Sequence, residues 1–168
     1  MKLPPVVVSA CLLGRRCRWD GGHKDSPAVR AAVEGREVLL LCPEEMGGLG
    51  TPRAPAELRG GDAVVVLAGQ ARVVTVTDGE DRTEAFVAGA RAALRQALDN
   101  GAREAILKDG SPSCGSRAVH RDGRLTPGQG LLAVLLKSND LAVIADAGLG
   151  DLGDGDARET PAGPSRRG

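Results

Sequence analysis

The sequence predicts an α/β protein built on a mostly parallel, Rossmann-like sheet flanked by helices, with an inserted β-hairpin. Three observations carry that expectation. Short continuous apolar runs, Val6-Val7-Val8, Val38-Leu39-Leu40-Leu41, Ala105-Ile106-Leu107 and residues 141–145, lack the alternation of a half-exposed strand and suit strands buried on both faces. Segments of helical spacing separate them, and strands alternating with helices argue for a parallel sheet covered on both sides. Two valine-rich runs, Ala63–Leu67 and residues 72–77, bracket Gly69-Gln70 and read as a hairpin beside the main sheet.

The first strand runs into Cys11 and then into a loop rich in Gly, Arg and Asp that contains Cys17, Trp19 and His23. Ser26-Pro27 opens a helix as N-cap and first-turn proline, Val29 and Val33 mark its buried stripe, and Gly35 closes it. The second strand hands over to Cys42, after which the glycines and prolines of residues 43–53 allow no long regular element. Asp81-Arg82-Thr83-Glu84 matches a capping box, and Phe86, Ala90, Ala93, Leu94 and Ala97 follow at helical spacing up to Asn100-Gly101. A third strand at 105–107 leads into the loop Lys108-Asp109-Gly110-Ser111-Pro112-Ser113-Cys114-Gly115. Gly123 and Pro127-Gly128 mark turns, 131–137 a further helix and 141–145 a last strand. Residues 1–147 are expected to form one domain, and 148–168, polar and without an apolar pattern, a disordered tail.

Length and composition exclude several classes. A chain of 168 residues buries about 70% of its unfolded surface and needs no disulfide to fold. Lys plus Arg and Asp plus Glu each number 22, so nothing in the charge balance calls for a polymeric nucleic acid or an anionic membrane. Trp19 and Phe86 are the only aromatic residues, which removes the stacking platforms of single-strand binding but leaves room for one nucleobase in a small pocket. Val8-Ser9-Ala10-Cys11 imitates a lipoprotein cleavage site, but the stretch before it, with Pro4 and Pro5, is too short for a signal peptide. No apolar run approaches the ~20 residues of a membrane span, so a cytoplasmic location is expected. Oligomeric state and strand order are not readable from the sequence.

Ligands of open parallel sheets bind beyond the carboxyl ends of the strands. Three strands in succession end at or just before a cysteine, so Cys11, Cys42 and Cys114 are expected to converge on one edge. The spacing is neither that of a zinc ribbon nor that of a ferredoxin, since no C-x-x-C occurs. Thiolates select zinc or an iron–sulfur cluster over magnesium or calcium, and reactive or merely packed thiols are the other readings. If three cysteines hold a four-iron cluster, one iron keeps an open position and Glu44, two residues after Cys42, stands beside it as general acid or base. Ser111 is a hydrogen-bonding candidate in the same loop as Cys114. Lys108, Arg53 and Ser113 are candidates for substrate binding, each with a purely structural alternative. His23 and His120 read as loop or surface residues, and Trp19 as a lid or packing residue over the Cys17 loop.

The blocks VSACLLGRRCRWDGG, CPEEMGGLGTPRAPAE and ILKDGSPSCGS, in that order, resemble the signature of the family catalogued as domain of unknown function 523, which includes the thiouracil desulfidases. The resemblance runs from about Val6 to Ala145. It implies a 4Fe-4S enzyme that removes sulfur from a thiolated nucleobase without net redox change. Cys11, Cys42 and Cys114 are then the cluster ligands, and Glu44 and Ser111 belong to the catalytic pocket. Cys17, in the first block, is expected as a thiol beside the cluster, the alternative being a fourth ligand that would close it. The competing expectation is a zinc-stabilised or thiol-based small-molecule binding module without turnover.

Overall fold

The computed structural model describes residues 2–150. In chain order the elements are β1 (Val6–Ser9), a single 3-10 turn (Ala10–Leu13), α1 (Pro27–Ala32), β2 (Val38–Leu41), α2 (Pro43–Met46), β3 (Ala56–Arg59), α3 (Ala63–Leu67), β4 (Arg72–Thr75), α4 (Thr83–Asp99), β5 (Glu104–Leu107), β6 (Ala118–Arg121), β7 (Arg124–Pro127), α5 (Leu131–Ser138), β8 (Ala142–Ala145) and α6 (Asp146–Gly150).

The main sheet is parallel throughout, in the order β2-β1-β5-β8. Its central strand explains the unalternating apolar run: Val6, Val7 and Val8 are all fully buried because both faces are covered. Val7 faces one core, shared with α4 and α5; Val6 and Val8 face the other, with Val29 of α1. From β1 the chain steps to β2 on one side and later to β5 on the other. That reversal opens a crevice at the carboxyl ends of the three adjacent strands β2, β1 and β5.

A second, mixed sheet has the order β4-β3-β6-β7. Here the expected hairpin is corrected. Residues Ala63–Leu67 form a helix, because Asp62 Oδ1 accepts the Val65 N–H (3.0 Å) as an N-cap and Ala63 and Val66 share one buried face. The strand preference of three valines yields to that cap and to packing against α5. β4 pairs instead with β3, antiparallel, from Ala56↔Thr75 to Arg59↔Arg72. The tight hairpin lies at β6–β7, where Asp122 and Gly123 both have positive φ (48° and 85°), as a two-residue turn of this hand requires. Buried Glu57 ties the sheet to that turn, accepting from Gly123 N–H (2.9 Å) and from Arg59 (2.7 Å).

α4 supplies the largest apolar face, with Phe86, Ala90, Ala93 and Ala97 buried. The expected capping box takes another form. Asp81 accepts the Thr83 N–H (2.8 Å) while the Thr83 hydroxyl accepts from Val73 N–H (2.9 Å), so the first turn is pinned to β4 and no hydrogen bond from Glu84 closes it. Leu131, Leu132 and Leu136 of α5 are fully buried, each worth about 2 kcal/mol of transfer free energy. α2 lies directly on α4. A methyl group at Gly89 would stand 1.8 Å from the Pro43 carbonyl oxygen, and one at Gly47 2.0 Å from that of Ala85. Only glycine permits this approach, and it fixes the Cys42-Pro43-Glu44 corner.

The first three residues of the expected tail, 148–150, belong to α6, and the rest of it lies outside the described residues. Among the described residues no helix is long and apolar enough to cross a membrane.

Candidate active site and metal centre

The carboxyl ends of β1, β2 and β5 meet at a cavity of about 560 Å³, and Cys11, Cys42 and Cys114 all line it. Cys42 follows the end of β2 directly and Cys11 stands two residues past β1, while Cys114 comes seven residues past β5 at the end of its loop, so the parallel sheet and that loop deliver three thiols from distant parts of the chain to one edge. Cys17 reaches the same cavity from the loop after β1. All four cysteines are free and buried. Cys17 is pushed up to about 11, first by its contact with the Cys11 thiol and then by burial, with Cys42 opposing. Cys42 is raised by its contact with Cys17 and by burial, and Cys114 chiefly by burial, against a hydrogen bond with Ser9. Without a metal these three thiols are protonated, and a metal must displace their protons to bind. Buried, convergent, unbridged sulfur donors are a set suited to a thiolate-bound metal, and three of the four fit a 4Fe-4S cluster.

Glu44 lies in the first turn of α2, two residues past Cys42, and faces the same cavity. Burial pushes its carboxyl upward, against the pull of the Arg53 guanidinium. Arg53 Nη2 donates to Glu44 Oε2 (3.2 Å) and to the Cys17 carbonyl (2.8 Å), and Nη1 to Gly50 O (3.2 Å) and Thr51 Oγ1 (2.9 Å). Its backbone N–H donates to Trp19 O (2.7 Å). With both terminal nitrogens committed inside the protein, Arg53 clamps the Cys17–Trp19 loop and the Glu44 carboxylate together. Glu44 Oε1 has no protein donor among the described residues.

The loop from Lys108 to Gly115 is held by its own residues. Asp109 Oδ1 accepts three successive backbone N–H groups, from Ser116 (3.1 Å), Arg117 (3.0 Å) and Ala118 (3.0 Å). Burial raises its pKa, but these bonds together outweigh that and hold the carboxyl below its ordinary range. Ser111 Oγ accepts from Ser113 N–H (3.0 Å) and Cys114 N–H (3.1 Å). Both of its lone pairs are thereby engaged, and its hydroxyl hydrogen is left to donate into the cavity that it lines. Lys108 Nζ donates to Asp109 O (3.0 Å) and lies 3.8 Å from Asp146 Oδ2, while Asp146 Oδ1 accepts the Asp109 N–H (2.8 Å).

Of the residues expected from sequence, the cavity gathers Cys11, Cys17, Cys42, Glu44, Arg53, Lys108, Ser111 and Cys114. Ser113 is not among its lining residues: it is fully buried, and its Oγ has no hydrogen-bond partner. Ser111, Pro112 and Cys114 take the cavity side of the loop, and Ser113 is turned into the packed interior instead. His120 and Trp19, expected as surface or packing residues, stand at the rim. Asp109 and Asp146 went unnoticed in the sequence. The one available signal was an Asp preceding Gly in a tight loop, a common turn residue with a common structural role.

A family model described as 2-thiouracil desulfurase matches residues 6–147. The chain belongs to that family. A Bacillus subtilis (strain 168) relative, the uncharacterized protein YbbK, is 41% identical over 150 residues, covering 88% of this chain and 99% of its own. The solved structure of TudS, a 4Fe-4S-dependent thiouracil desulfidase, aligns with a TM-score of 0.74 at 40% identity over 89% of this chain and 95% of that one. The match to the 2-thiouracil desulfurase family spans both sheets and Cys11, Cys42 and Cys114.

Proposed function

We propose that this 2-thiouracil desulfurase family member exchanges the thiocarbonyl sulfur of thiouracil for the oxygen of water, releasing uracil and hydrogen sulfide. The observation that carries the reading is the presence of a half-buried carboxylate, Glu44, in the same cavity as three cysteines from three adjacent strand ends. Cys11, Cys42 and Cys114 would hold a 4Fe-4S cluster. When bound, such a cluster supplies an iron without a protein ligand, a Lewis acid with affinity for sulfur.

The chain's own groups account for the remaining needs. Glu44 Oε1 takes a proton from water, and Arg53 on Oε2 steadies the carboxylate in its charged form. Glu44 then returns that proton to the departing sulfur, and the second water proton follows to it as the carbonyl forms, so that one oxygen enters, one sulfur leaves as hydrogen sulfide and no electrons are exchanged. Ser111 offers its hydroxyl hydrogen to a polar edge of the base, held in place by the Ser113 and Cys114 amides. The apolar walls, among them Pro55, Ala56, Val76 and Leu125, exclude bulk water from the reacting edge. Lys108, restrained by Asp146, contributes positive potential at the pocket wall.

The test is anaerobic reconstitution of the full chain with iron and sulfide, followed by assay of sulfide and uracil from 2-thiouracil. Equal amounts of both products, lost together with visible absorbance in Cys114→Ser, are expected. Failure of the zinc-free chain to assemble a cluster under these conditions, with zinc taken up when it is offered, would sink the reading in favour of a zinc-stabilised binding module.

A further inference from the structure

Cys17 has no chemical role in the function proposed above, yet it is buried among the other thiols. Its sulfur contacts Cys11 and Cys42, and Cys42 Sγ donates to the Cys17 carbonyl at 3.8 Å. Glu45, unlike its neighbour Glu44, does not line the substrate cavity. It points to the thiol pair from behind: Cys17 Sγ, Cys42 Sγ and a Glu45 carboxylate oxygen all lie within 4.8 Å of one another. We infer that Cys17, Cys42 and Glu45 form a second metal site, for a single soft divalent ion such as zinc, which shares Cys42 with the cluster and therefore excludes it.

The geometry suits one ion better than packing alone. Two thiolates on a tetrahedral zinc, each about 2.3 Å from the metal, stand about 3.8 Å apart, so the group needs to contract by at most about 1 Å. Glu45 is already oriented for this. Thr51 Oγ1 donates to its Oε2 (2.9 Å), which leaves Oε1 buried, without a hydrogen bond and met only by the ion pair with Arg15 (3.1 Å). The Arg15 side chain is more than half exposed, at 55%, and withdraws into solvent at little cost when a cation replaces it. Cys17 and Cys42 border the cavity, so the ion has an entry path and a water can complete its four ligands. Cys11 touches Cys17 but lies outside the mutually close group, and Cys114 belongs to another wall.

Binding releases the two thiol protons of Cys17 and Cys42 and involves no oxidation. Zinc outranks ferrous iron at sites of this kind, so the ion that arrives first decides whether Cys42 serves a cluster or a closed mononuclear site. Exclusion of the cluster rests on the ligand set proposed above; the zinc site does not.

The experiment uses the metal-free full chain, kept anaerobic. Zinc is titrated against a chelator of known affinity, and iron and sulfide are then offered to the zinc-loaded and zinc-free forms. Wild type is expected to bind one zinc. Cys17→Ser should weaken zinc by at least about 100-fold and Glu45→Gln by at least about 10-fold, since loss of a group that merely supports a ligand already costs about 10- to 100-fold, while Cys114→Ser binds zinc as wild type does. Circular dichroism establishes that each variant is folded, and Glu45→Gln, at a partly exposed position, keeps the test independent of any unfolding of Cys17→Ser. Zinc-loaded wild type should fail to take up the cluster, whereas Cys17→Ser exposed to the same zinc should assemble it. Equal loss of zinc in Cys114→Ser and Cys17→Ser would overturn the inference, as would cluster uptake by zinc-loaded wild type at the zinc-free rate. A wild-type protein that binds zinc as described but assembles no cluster even without zinc would overturn the cluster reading and leave the zinc site standing.

Discussion

Two walls of the same cavity are built in opposite ways. The wall that carries Cys114 is closed locally, with Asp109 gathering three amides and Ser111 two, all from residues within nine positions in the chain. The opposite wall, with Cys17 and Trp19, is tied to Glu44 and residues 50–51 chiefly through Arg53, more than thirty positions away, whose guanidinium donates to the Cys17 carbonyl and whose backbone N–H donates to that of Trp19. A locally closed loop is rigid whenever its strand is formed. A wall tied mainly through one distant residue is more sensitive to that residue, and so is the carboxylate that its guanidinium holds.

The largest expected difference comes from removing each organiser. Asp109→Ala strips the acceptor from three amides, and with hydrogen bonds to a charged group worth about 1.5–3 kcal/mol each, a loss of about 3 kcal/mol or more is expected in urea denaturation. Arg53→Met should cost less stability, about 1–2 kcal/mol, yet lower desulfuration about 100-fold at matched cluster content, because a displaced Glu44 no longer meets the water. If Arg53→Met destabilises the protein as much as Asp109→Ala and spares activity, the contrast between the walls is wrong.

Acid sharpens the same contrast. The Asp109 carboxyl is held below its ordinary value, so its contribution is complete above about pH 4 and is lost as pH falls through the lower folded value. The urea midpoint of the wild type should therefore drop on acidification below about pH 4. Asp109→Asn, which keeps an acceptor oxygen but cannot titrate, should flatten that part of the profile. An unchanged slope in the variant would assign the acid sensitivity elsewhere. The smallest effect belongs to the rim: Trp19 is 43% exposed, and Trp19→Ala should change stability by under about 0.5 kcal/mol while raising KM more than it lowers kcat.

These differences also explain what the sequence disclosed. Cys11, Cys42 and Cys114 were legible because each follows an apolar run that only a buried parallel strand accommodates, and a parallel sheet brings such ends together. The valines at 63–67 misled because β-branched residues favour strands in general, while here one Asp62 cap and a two-residue buried face decide for helix. β6 and β7 were hidden by their polar residues, His120 and Arg121 on an outward-turned part of β6 and Arg124 on the edge strand β7. Asp109 escaped notice because its partners are backbone amides seven to nine residues later, and no side-chain pattern marks them. Arg53 was visible as a cation near a turn; that its donors are spent within the protein became visible once Cys17, Glu44 and Gly50 were seen around it.

The central claim is that Glu44, between these walls, moves the proton of desulfuration while three strand-end thiols hold the metal. The most direct measurement compares wild type and Glu44→Gln, reconstituted anaerobically to equal visible absorbance, for sulfide and uracil formed from 2-thiouracil. General acid–base catalysis by one group is worth about 100- to 10,000-fold, so the variant should keep its colour and lose turnover by at least the lower figure. A coloured Glu44→Gln protein that releases sulfide at the wild-type rate would contradict the account.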